Sequence, residues 1–167
     1  YMKWIGLIFL ILCGAMAGMA CSGKLRMKLE QTEKLCSFLR EMGVLMQYQM
    51  STLGELLDTF SNRSIYQEFQ FLSQTAAHMQ QQTPFVQAWS EQVQAEKHLP
   101  SEVKEVLLEL GEELGTTDLE GQLSALSQAH IQLQRFQDTY RVTYQKKGKL
   151  YRSLGLLAGL LLAVLFC

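Results

Sequence analysis

Residues 119–147 read LEGQLSALSQAHIQLQRFQDTYRVTYQKK, and the spacing of their large side chains decides the fold class. Leu119, Leu126, Leu133 and Tyr140 stand seven apart, with Ala129 and Phe136 on the neighbouring row. A seven-residue apolar repeat is close to two helical turns and marks a helix packed lengthwise on another long helix. No breaker intervenes before the apolar stretch at 150–167 except Gly148. The repeat therefore predicts a helix from about 119 to 167, about 70 Å long at 1.5 Å per residue.

A partner of matching length is present at the other end of the sequence. Leu25, Leu29, Leu35 or Cys36, Leu39, Met42, and Leu45 or Met46 recur at spacings of three and four through 24–49. Between the two long helices the chain breaks into short ones, with no convincing strand alternation. Ser51-Thr52 can cap a helix carrying Leu53, Leu56, Leu57 and Phe60, ending near Asn62. Ile65, Phe69, Leu72, Ala76 and Met79 predict a third, with the glutamines at 80–82 as its polar exit. Thr83-Pro84 starts a fourth, proline suiting the first helical position because its missing amide would be orphaned anyway. Phe85, Trp89 and Val93 line one of its faces. A fifth opens at Leu99-Pro100-Ser101-Glu102, carries Val103, Val106, Leu107, Leu110 and Leu114, and is expected to end at Gly115, before a new cap at Thr116-Thr117-Asp118. The predicted architecture is all-α: a bundle of about six helices on a long antiparallel pair. Phe38, Phe60, Phe69, Phe71, Phe85, Trp89 and Phe136 are its expected bulk.

The two ends read differently. WIGLIFLILCGAMAGMAC at 4–21 carries no charge, and neither does LGLLAGLLLAVLFC at 154–167. With Leu150 and Tyr151, and Arg152 snorkelling, each is long enough to cross the hydrocarbon core. The expected organisation is a transmembrane helix at 4–21, a helical domain at 22–149 and a second transmembrane helix at 150–167. Lys24, Arg26, Lys28, Arg141, Lys146, Lys147 and Lys149 border the inner side of both and Lys3 alone the other, which puts the domain in the cytoplasm. The alternative is a lipid-anchored or passive membrane scaffold outside the cytoplasm. Lys3, the apolar stretch and Cys21 imitate a lipoprotein signal, although Gly18 stands where that signal usually has leucine.

Composition narrows the function. The 167 residues hold 15 Lys+Arg against 16 Asp+Glu, which does not fit a strongly basic nucleic-acid binder. Four cysteines, three of them in or beside apolar segments, show no C-x-x-C or Cys/His spacing, so no zinc or redox site is expected. His78, His98 and His130 lie in no ligand spacing, and no serine sits in G-x-S-x-G. No cofactor and no enzymatic activity are expected. The distinctive feature is acidic: residues 102–120 hold seven carboxylates against Lys104 alone. Glu109, Glu112, Glu113, Asp118 and Glu120 are the candidate docking residues for a basic partner, steered by complementary charge.

Several stretches also resemble a known family. STLGELLDTF at 51–60, FVQAWSEQV at 85–93, LGEELGTTDLEGQ at 110–122 and K-x-Y-R-S-L-G-x-L-x-G at 149–159 resemble, in order, the stage III sporulation protein AB family of endospore-forming bacteria. That family is similar to the inner-membrane platform proteins of type II secretion and type IV pilus systems. The resemblance implies a non-enzymatic platform component of the channel between mother cell and forespore, held in the outer forespore membrane on the mother-cell side. It implies as partners a secretion-type ATPase, stage III sporulation protein AA, and other stage III sporulation A membrane proteins, with room for an oligomer. Leu110, Gly111, Leu114, Gly115, Asp118 and Gln122 match the family stretch; a structural role is expected for them, glycine at a helix end and aspartate as a cap.

Overall fold

The computed structural model describes the backbone of residues 2–49 and 51–166 and the side chains of 23–49, 51–150 and 153. Among these the chain is wholly helical: α1 (Met2–Gln49), α2 (Leu53–Ser61), a 3₁₀ turn at Ser64–Tyr66, α3 (Gln70–Gln80), α4 (Phe85–Ala95), α5 (Ser101–Thr116) and α6 (Leu119–Phe166). It divides into two compact units, Tyr1–Leu29 with Asp138–Cys167, and Glu30–Gln137. Among the described residues no helix is long and apolar enough to cross a membrane. The segments read as spans, 4–21 and 150–167, lie outside the residues whose side chains are described, apart from Leu150 and Ser153, and so does Cys21.

In the unit Glu30–Gln137, α1 and α6 run antiparallel. The Cys36 carbonyl meets the His130 ring, while Gly43 lies against Leu126 and Leu123, so positions rise along one helix as they fall along the other. The seven-residue repeat is what lets the two stay in contact. The short helices pack in succession, α2 on α3, α3 on α4 and α4 on α5. All contribute to one apolar core with Leu35, Phe38, Leu39 and Met42 of α1 and Leu126, Ala129 and Leu133 of α6. Burying each large side chain is worth about 1.5–3 kcal/mol, which is why this core can hold short helices that would be marginal alone.

Local signals place most helix ends. Thr52 caps α2 through a reciprocal box: its hydroxyl accepts from Glu55 N, and its own amide donates to the Glu55 carboxylate. The 80–82 exit is a Schellman closure, in which Thr83 N donates to His78 O and Gln82 N to Met79 O. Gln82 there takes φ 68°, the left-handed region usually left to glycine.

Four expectations change. The predicted third helix is interrupted, because Ser64–Tyr66 turns as 3₁₀ and α3 begins only at Gln70. Ile65 is consequently exposed, and Tyr66 is buried in its place. Pro84 is the cap residue of α4 and not its first helical residue, and it makes no side-chain cap bond. Gly115 does not end α5, which runs on to Thr116 with no left-handed residue. Leu119, the first member of the seven-residue repeat, lies in the first turn of α6 and is 44% exposed.

Candidate functional site

The sequence 101–122 builds one continuous feature, α5 and its junction with α6. Pro100 O accepts from Val103 N and Lys104 N to open α5, and Glu102 in the first turn favours the positive end of the helix dipole. Val103, Val106, Leu107, Leu110 and Leu114 face the core, as their spacing predicts. Trp89 of α4 fixes the helix from beneath, its indole N–H donating to Leu107 O at 2.6 Å while the ring lies over Gly111. A Cβ at Gly111 would stand 2.2 Å from Trp89 Cδ1, and one at Gly115 would stand 2.2 Å from Val86 Cγ2. Both family-stretch glycines are therefore close-approach positions, with α4 lying directly against the backbone of α5.

The junction is closed by side chains. Thr116 and Thr117 hydroxyls donate to Glu112 O and Glu113 O. Gln122 reaches back from α6, its amide donating to Leu114 O at 2.8 Å and Thr117 O at 3.2 Å, which satisfies carbonyls that a helix end leaves orphaned. Asp118 caps α6 by accepting from Gly121 N at 3.0 Å. Leu110, Gly111, Leu114, Gly115, Asp118 and Gln122 thus each have a packing or capping partner.

The candidate docking carboxylates separate into two kinds. Asp118 and Glu120 stand at the start of α6, where the helix dipole favours an acid. Glu109, Glu112 and Glu113 are exposed on the C-terminal half of α5, where the dipole disfavours one, and the last turn holds no basic residue. Glu105, Glu109 and Glu113 further succeed one another at i, i+4, a like-charge spacing that weakens a helix. Glu109 and Glu113 also form one wall of a groove of about 210 Å³ whose other wall, from α6, carries Ser124, Gln128 and Gln132. The sequence leaves this groove invisible, since it exists only once Leu110 and Ala129 bring α5 and α6 together.

Elsewhere the polar groups serve the fold. Arg63 pairs with Glu41 and lies 4.9 Å over the Phe60 ring. Tyr66 Oη donates to the same carboxylate at 3.2 Å. Burial first, and then the Glu41 charge, push the phenol up to about 12. Phe38, Phe60 and Tyr66 meet edge to face at 4.9–5.9 Å. The histidines are not gathered: His78 is beside Gln92, His98 is exposed, and His130 donates from Nδ1 to the Cys36 carbonyl at 3.1 Å. No group of potential metal ligands forms among the described residues.

A small all-helical bundle with a sharply fixed acidic helix is the class that this fold and site define. The family model described as stage III sporulation protein AB (spore_III_AB) matches residues 3–167, and the chain belongs to that family. A solved structure, "Stage III sporulation protein AB (SpoIIIAB)", has a similar fold, with a TM-score of 0.59 and 16% identity over 71% of this chain and 97% of that one. No curated protein matches.

Proposed function

We propose that this stage III sporulation protein is a non-enzymatic membrane platform component that docks a cytoplasmic secretion-type ATPase on the acidic half of α5. Residues 4–21 and 150–167 anchor it in the outer forespore membrane, with the helical domain on the mother-cell side. The observation that carries this reading is the placement of Glu109, Glu112 and Glu113. They are exposed on a helix rigidly held by Trp89 and Gln122, in positions that cost stability through the dipole and through like-charge spacing. Acids kept where they weaken their own helix are accounted for by an external basic partner, in line with the usual trade of stability for function.

The test is the triple variant E109K/E112K/E113K. It is expected to lose co-purification with stage III sporulation protein AA while gaining about 1 kcal/mol of domain stability, read as a raised denaturant midpoint. E91K, on α4, serves as the remote control and should retain the partner. Undiminished binding by a folded triple variant would overturn the docking reading.

A further inference from the structure

Charge is divided sharply between the two units. The unit Tyr1–Leu29 with Asp138–Cys167 holds 9 of the 15 basic residues and 1 of the 16 acidic ones, Asp138. Lys24, Arg26, Arg141, Lys146, Lys147 and Lys149 are exposed there. Lys28 of α1 is half-buried with its ammonium 5.8 Å over the Tyr140 ring of α6, which joins the basic clusters of the two helices into one.

We propose that this cluster is a binding surface for anionic phospholipid headgroups. The inference rests on the reading of 4–21 and 150–167 as membrane spans. Two features favour a lipid surface over a protein partner or a nucleic acid. First, the bases surround the helices: at 100° per residue, Arg26 points away from Lys24 and Lys28, and Lys146, Lys147 and Lys149 spread around α6. A partner docked from one side would meet only some of them, whereas a layer of headgroups surrounding the helices can meet all. Second, six of them lie close to the two apolar segments. Lys24, Arg26 and Lys28 follow Cys21 within about 10 Å along α1, and Lys146, Lys147 and Lys149 precede Leu150 within about 6 Å along α6. Both distances are near one Debye length, the range over which an anionic surface attracts basic side chains. Met27 and Leu150 are exposed beside these bases, 51% and 61%, as suits a segment that passes through headgroups.

The full chain reconstituted in vesicles tests this through spin-labelled lipids. Labelled phosphatidylglycerol is expected to associate on the order of 5-fold more strongly than labelled phosphatidylcholine, with the preference falling as salt is raised. The variant K24Q/R26Q/K28Q/K146Q/K147Q/K149Q should lose the preference. A second variant that spares the Lys28–Tyr140 contact, K24Q/K146Q/K147Q/K149Q, should lose most of it, and K97Q in the other unit should keep it. Equal association of the two lipids by a membrane-inserted chain would overturn this inference and leave the anchoring reading standing. So would a preference that survives in the six-residue variant, or bases that cross-link to a second copy's acidic helices in place of lipid. A chain that alkaline carbonate strips from every vesicle would overturn both.

Discussion

At the residue scale, Gly111 links sequence to geometry most directly. Its neighbour Trp89 is fully buried, pinned by the bond to Leu107 O and wedged against Phe71 and Phe85 at 5.3 and 5.5 Å. An indole held on three sides cannot yield to a methyl group 2.2 Å from its Cδ1. Gly111→Ala is therefore expected to destabilise the domain by about 3 kcal/mol despite alanine's better helix propensity, seen as a lower urea midpoint at unchanged m. A neutral outcome would mean that α4 and α5 can separate at no cost. Gln122 teaches the same lesson for polar groups: its value lies in two carbonyls of the preceding helix end, 2.8 and 3.2 Å away.

At the scale of the element, helix ends decide how the short helices turn back on one another. The cap at Thr52 is one that the sequence advertises, as is the aspartate cap of α6, while the Glu55 half of the Thr52 box comes from the structure. The exit of α3 does not. Its Schellman geometry demands a left-handed residue, and glutamine occupies that position at φ 68°. Gln82→Gly should relieve the strain and raise stability by about 1 kcal/mol, measured by the thermal or denaturant midpoint. A loss of stability would show that the Gln82 side chain makes a compensating contact.

At the scale of the whole molecule, two units of opposite charge share two helices. Among the described residues, the main hydrophobic cluster runs from Leu35 to Phe136, inside the unit Glu30–Gln137. A fragment of residues 30–137 is accordingly expected to fold alone, with cooperative unfolding and the near-ultraviolet signal of a fixed Trp89. A fragment lacking that signal would mean that the outer lengths of α1 and α6 are needed to hold the core. Charge does not follow the core: the acids cluster on α5 and the bases in the other unit, a partition that adds nothing to packing and sets what each unit can approach.

By itself, the amino-acid order determined the helical class, because apolar spacing of three, four and seven is a local property that any reader of one strand can count. It determined the buried face of α5, a cap at Ser51-Thr52, and the family through stretches such as 110–122. It also exposed the acidic run at 102–120, since charge is legible without a fold. Only the tertiary structure decided which acids oppose their helix and which assist it, because that depends on where α5 ends and α6 begins. The same holds for Tyr66 replacing Ile65 in the core and for Gly111 and Gly115. Their glycine is required by a neighbouring helix, and contact between segments far apart in sequence leaves no period to count.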